Sequence, residues 1–325
     1  MVWVLSALAA VLLLDLAFRA FYIRILMRQF QAQPPFNVAP HSVEPAAEQV
    51  SAVTADGLTL RGSLHHGSQS QPRGLVVFCP ESSGSHWSAA WYCEGLLHSG
   101  FDVLSFDFRG QGDSDSLPGY TPNHWPTHYE VRDIDAVLAF VQSRPDLRQL
   151  PLMTMGVSRG SLVALMAAAQ HPEVRAVCGE GVYTTDSLLE HFTLRWAQLY
   201  LPPLILRVIP MWHLRVTLRM VRWLSAWRRD LQYLVLEPWL PRLGNRPVLL
   251  ISGERDNYVP PKIMRRIAKR IGSPRCRIFS VPKAKHNQAR NVARDEFDQT
   301  VEEFFSQVVP EAGKIEQPVV VASVR

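Results

Sequence analysis

The chain has 325 residues, 47% of them apolar, and a formal net charge of +5 from 34 basic and 29 acidic side chains. That apolar share fills a large interior, and so small a surplus of charge, with no run of Lys or Arg, excludes a nucleic-acid-binding surface. Four cysteines, Cys79, Cys93, Cys178 and Cys276, stand far apart with no CxxC pair. This excludes a zinc cluster and a disulfide scaffold and leaves buried free thiols as the expectation.

Residues 1–14 are apolar but for Ser6, Asp15 interrupts, and Arg19, Arg24 and Arg28 follow among further apolar residues. A secretory signal carries its positive charge before the apolar stretch, and here the charge comes after it. Residues 1–30 therefore read as an uncleaved membrane anchor or interfacial helix, the arginines holding its C-terminal side in the cytoplasm. The alternative is a soluble helix packed on the domain. Residues 31–48, with Pro34, Pro35, Pro40 and Pro45, have the composition of an extended linker.

Residues 50–54 and 58–64 flank Asp56-Gly57, a strong hairpin signal. Short apolar runs then alternate with helical spacing. Strands are expected over 75–79, 103–108, 152–157 and 174–178, and helices over 87–98, 127–142 and 161–170. After a break at 184–243 the rhythm resumes with a strand over 248–252, a helix over 261–271, a strand over 277–281 and a helix over 292–308. The predicted core is a doubly wound, mostly parallel α/β sheet formed by residues 49–183 and 244–309. Residues 184–243 are a helical insertion holding five of the nine tryptophans and more arginines than acids. Residues 310–325 have little pattern and read as a mobile tail.

In such a sheet, functional residues gather at the carboxyl ends of the strands. There, after the 152–157 strand, stands Gly156-Val157-Ser158-Arg159-Gly160, followed at once by a helix of small residues. This is G-x-S-x-G in strand–turn–helix context. The glycines permit a tight turn that exposes the serine hydroxyl, and the helix N-terminus behind it favours developing negative charge.

With this motif the chain resembles the α/β-hydrolase fold family over about residues 50–308. The resemblance implies a chain order of serine, acid and histidine, each after a strand. Ser158 is then the nucleophile. The loop 252–260, Ser-Gly-Glu-Arg-Asp-Asn-Tyr-Val-Pro, is similar to the family's acid loop and makes Asp256 the acid, with Glu254 and Asp186 as rivals. His286, in the loop after the last strand, is the base. Asp107-Phe108-Arg109-Gly110-Gln111-Gly112-Asp113-Ser114 resembles a family turn of architectural role. The family's His-Gly step is replaced by Cys79-Pro80. The oxyanion donors implied are the backbone N–H groups of Glu81 and Arg159, with Ser82 as an alternative. The Arg159 side chain is expected either in solvent or on an anionic substrate group.

The 184–243 insertion resembles a lid, and its interleaved aromatic and Arg positions suit lipid headgroups. The expected activity is that of a serine hydrolase on an ester, thioester or amide, with a lipid-like or acyl substrate and membrane lipid as partners. A catalytically silent scaffold and an acyltransferase are the alternatives. No HExxH, helix-opening GxGxxG or Walker A pattern occurs, so neither metal nor cofactor is expected.

Overall fold

The computed structural model describes residues 2–32 and 41–309. The centre of the expected linker and the expected mobile tail lie outside the described residues. Helix α1 (Val2–Gln31) precedes strands β1 (Glu48–Val53), β2 (Thr59–His65) and β3 (Leu75–Cys79). Short helices α2 (Ser88–Tyr92) and α3 (Glu94–His98) lead to β4 (Asp102–Phe106), α4 (His128–Ser143), β5 (Leu152–Val157), α5 (Arg159–Gln170) and β6 (Val174–Glu180). Helices α6 (Thr185–Tyr200), α7 (Pro203–Val208) and α8 (Met211–Arg228) form the insertion. The chain returns through β7 (Val248–Gly253), α9 (Pro261–Ile271), β8 (Cys276–Val281), α10 (Ala289–Val292) and α11 (Arg294–Ser306).

The eight strands form one sheet in the order β1-β2-β4-β3-β5-β6-β7-β8. The pairs β1/β2 and β2/β4 are antiparallel and the rest are parallel. Every residue of β3, β4, β5 and β7 is buried. Strands covered on both faces must be apolar on both, which is why these runs show no alternation. One face packs on α4, α5 and α9, and the other on α2, α3 and α11.

Expected and observed helices differ most in three places. The helix expected over 87–98 is broken at Cys93 (φ −110°, ψ 13°), and the one expected over 292–308 at Ala293 (φ −140°, ψ 63°). Helix α5 starts two residues before the expected 161, because the turn at Ser158 feeds straight into it.

Helix α1 divides into two parts. Its early apolar side chains, Trp3 and Leu13 among them, are exposed, whereas Leu26, Met27 and Phe30 are buried in the domain. The Phe30 ring lies 4.9 Å from that of Trp125 and 4.8 Å from that of Tyr233. The Trp125 indole Nε1–H donates to the Phe30 carbonyl at 2.7 Å. Burying one such phenyl ring contributes roughly 1.5–3 kcal/mol. The end of the helix thus packs on the domain, and the beginning projects from it.

Candidate active site

Ser158 occupies the turn between β5 and α5 with φ 49° and ψ −116°. A side-chain-bearing residue held at positive φ costs on the order of 1–3 kcal/mol, and such strain gathers at functional sites. Its neighbours explain how the turn is reached. A Cβ on Gly156 would stand 2.5 Å from the Gly160 carbonyl oxygen, and one on Gly160 would stand 2.1 Å from that of Cys79. Only glycine lets strand, turn and helix close so tightly. The Ser158 N–H donates to the Glu180 carbonyl at 2.8 Å, fixing the turn to the neighbouring strand.

The serine Oγ lies 2.9 Å from His286 Nε2, and His286 Nδ1 lies 2.7 Å from Asp256 Oδ2. Ser158 and Asp256 are both buried. The other carboxylate oxygen of Asp256 accepts the backbone N–H groups of Tyr258 at 2.8 Å and Val259 at 2.7 Å. Those bonds aim Oδ2 at the imidazole. With Nδ1–H donated to the carboxylate, Nε2 is left to accept the serine proton. Gly181 (φ 63°) makes room for the ring, since a Cβ there would stand 2.9 Å from His286 Cε1. The loops carrying Asp256 and His286 meet at Gly253, where a Cβ would stand 2.4 Å from the Ala284 carbonyl oxygen.

The structure therefore brings Ser158, Asp256 and His286 together and leaves their rivals apart. Glu254 is exposed, and Asp186 is paired with Arg222 at 2.7 Å within the insertion. On the oxyanion side, the Pro80 carbonyl leans on α5, 2.5 Å from where a Cβ of Gly160 would be. In a trans peptide this turns the Glu81 N–H away from that residue. Arg159 supplies the first N–H of α5.

The Arg159 side chain meets neither expectation. It is fully buried, ion-paired with the buried Glu130, 3.2 Å from Gln111 Oε1, and 5.3 Å above the Phe108 ring. Burial opposes ionisation of Glu130, but Arg159, Tyr120 and Thr127 outweigh it and hold the carboxyl below its ordinary range. A buried guanidinium with a fixed partner is a strut under the turn rather than a hand for substrate.

Several neighbours were not singled out from sequence. The Tyr258 ring lies 4.9 Å from that of His286 and 4.9 Å from that of Phe192 on α6. Arg195 of α6 donates to the Asn257 carbonyl at 2.9 Å, so this helix lies across the loop that carries Asp256. His124 is buried, and desolvation with the nearby Arg159 charge lowers its pKa to about 3, so the ring is neutral. Two buried carboxyls lie behind the serine turn. Burial raises Glu81 to about 7 and Glu180 to about 7, and for Glu180 the charges of Glu81 and Asp256 add to the effect. The Glu180 carboxyl accepts the Ala289 N–H at 2.9 Å. An acid ending an apolar strand was the available signal for Glu180.

The one group of metal-ligand type among the described residues is His86, Asp107 and Asp113. Its buried acid is already used as a turn lock. Asp107 accepts the backbone N–H groups of His86 at 2.6 Å and Asp113 at 2.9 Å, and burial raises its pKa to about 6. Arg109 is held at 2.7 Å by both Asp56 and Asp133.

The family model for the alpha/beta hydrolase fold matches residues 74–204. A thiohydrolase of Eupenicillium brefeldianum is 32% identical over 134 residues, which cover 40% of this chain and 42% of that protein. The chain thus spans about two fifths of the length of that curated relative. An uncharacterized protein of Mycobacterium tuberculosis is 25% identical over 248 residues, covering 76% of this chain and 74% of that one. Among solved structures, an esterase of Pyrococcus furiosus superposes with a TM-score of 0.63 at 19% identity, covering 86% of this chain and 100% of that one. With the sheet order and the strand–serine–helix turn described above, these likenesses show that the chain has the α/β-hydrolase fold.

Proposed function

We propose that this protein is a serine hydrolase that cleaves an acyl substrate through an acyl-enzyme on Ser158. The observation that carries the reading is the continuous hydrogen-bond relay from Ser158 Oγ through His286 to Asp256, with distances of 2.9 and 2.7 Å. A serine hydroxyl is a poor nucleophile at neutral pH, and the adjacent imidazole supplies what it lacks.

As the Oγ–carbon bond forms, the serine proton passes to His286 Nε2 and the carbonyl oxygen takes up negative charge. The N–H groups of Glu81 and Arg159 are the donors assigned to that oxygen, helped by the positive end of α5. The His286 proton then goes to the leaving group as its bond to the acyl carbon breaks. Water repeats the sequence, giving its proton to His286 and its oxygen to the acyl group, and Ser158 Oγ leaves with the proton returned. Asp256 keeps its charge throughout and stabilises the imidazolium.

The thiohydrolase relative and the esterase fold neighbour support ester and thioester substrates, and the aromatic insertion supports a lipid-like acyl chain. In this reading α6 to α8 form a lid over the site, and α1 anchors the chain in a membrane. The helix has 30 residues, and its most apolar window has a mean hydropathy of 2.1. By the positive-inside rule, Arg24 and Arg28 put the domain on the cytoplasmic side. Labelling with a fluorophosphonate tests the core of the reading. Native protein is labelled and Ser158→Ala is not; native protein that stays unlabelled, also in detergent, overturns the hydrolase assignment.

A further inference from the structure

Helix α8 does more than close the domain: it runs alongside α1. The buried Arg19 guanidinium donates to Thr217 Oγ1 at 2.7 Å and lies 2.8 Å from His213 Nδ1, and the Tyr22 hydroxyl lies 2.6 Å from His213 Nε2. Further along, Gln31 Nε2 donates to Ser225 Oγ at 3.1 Å. Residue numbers rise together in these pairs, so the two helices point the same way. The first residues of α8 are therefore the ones nearest the projecting apolar half of α1.

That end of the insertion is apolar and uncovered. Tyr200 is 82% exposed, Leu204 71% and Trp212 65%, with Met211 beside them. Trp223 and Trp227 continue the same exposed stripe of α8, opposite its buried Thr217, Leu218 and Val221. Exposed arginines, Arg207 and Arg219 among them, border the patch. Large exposed apolar patches mark interaction surfaces. Trp and Tyr with flanking Arg is the composition that suits the boundary between headgroup and acyl chain.

We infer that the tip of the insertion, centred on Tyr200, Leu204, Met211 and Trp212, is seated in the interface of the same lipid leaflet that α1 enters. The occupant is lipid rather than a second protein because Met211 and Trp212 open the helix that packs on α1, and α1 is itself long and apolar enough for a bilayer. Arginines also match an anionic headgroup layer. Helix α6 joins this tip to Phe192 and so to Tyr258 beside His286. A lipid-phase acyl chain thereby has its approach from the membrane side. The inference rests on the anchoring reading of α1.

The test uses full-length protein reconstituted in vesicles of phosphatidylcholine and phosphatidylglycerol. Cys276, the one cysteine that is not buried, is first replaced by serine. A polarity-sensitive fluorophore is then placed on Leu204→Cys, Trp212→Cys and, as a control on the opposite face of the sheet, Glu303→Cys. Vesicle flotation is measured alongside. The expected result is flotation with a blue shift at 204 and 212, loss of their emission to nitroxide-labelled lipid, and neither effect at 303. Flotation with all three probes reporting water leaves the anchor standing and overturns the seated tip. A blue shift that nitroxide lipid does not quench, and that fades on dilution, assigns the patch to a second copy and also overturns it. Absence of flotation overturns both anchor and tip. No turnover is read, so failure of the hydrolase reading is distinguished separately by the fluorophosphonate label.

Discussion

The guanidinium of Arg159 and the carboxylate of Glu130 form an ion pair in which both side chains are fully buried. Glu130 serves two structures at once: it closes the capping box of α4, accepting the Thr127 N–H at 2.6 Å, and it neutralises the residue next to Ser158. The helix start and the serine turn are thus held by one carboxylate.

Glu130→Gln leaves the volume nearly unchanged and removes the charge. Stranding a buried guanidinium costs about 3–5 kcal/mol. A fall of that size in unfolding free energy, read by urea denaturation, is the expected outcome. A loss under 1 kcal/mol would show that Arg159 reaches solvent or another anion.

At the acid, Asp256→Asn is expected to lower kcat/KM on a soluble ester by about 10³- to 10⁴-fold, because the amide cannot hold the productive imidazole tautomer. Glu254→Gln is expected to keep native turnover, its side chain being exposed. Comparable losses in both variants would displace Asp256 from the acid's role.

Gly181→Ala separates geometry from folding. Positive φ costs an alanine about 1–2 kcal/mol, which a domain of this size tolerates. The new methyl sits against His286 Cε1, and a shift of about 1 Å in a reacting group costs about 100-fold in rate. The expected result is folded protein, seen by circular dichroism, with turnover down about 100-fold. Near-native turnover would mean that the ring position is not limiting.

Glu81 and Glu180 give a pH dependence of a definite sign. Their folded pKa values lie near 7, above the ordinary 4.5. Between these limits the folded state binds more protons than the unfolded state, so stability falls as pH rises from about 4.5 to about 7 and then levels. The effect is on the order of 3 kcal/mol for each group taken alone. Glu180→Gln retains an acceptor for the Ala289 N–H and removes the charge. Its Tm relative to native protein should rise from pH 5 to pH 8; parallel Tm profiles would contradict the shift.

The strand–helix alternation and the turn at Ser158 were legible because they depend on local chemistry, an apolar run and a glycine-flanked turn, whereas Asp256 and His286 were reached only through the chain order that the family resemblance implies. What it withheld depends on contacts across the chain. Arg159 looks like a surface residue until Glu130, 29 residues away, is brought beneath it. Glu81 and Glu180 look ordinary until two strands put them in one dry space. The docking of Phe30 between Trp125 and Tyr233 has no local signature at all, since an apolar helix end reads alike against lipid and against protein.

That docking bears on how the molecule stands at a surface. With α1 in a bilayer, a slack leash would let the domain tumble and sweep a wide volume. Arg19, Gln31 and Phe30 instead clamp the shaft of the helix to the body. Under the anchoring proposed above, the body would ride as a rigid post whose height and heading are set by the shaft, its reach confined to one thin layer beside the lipid.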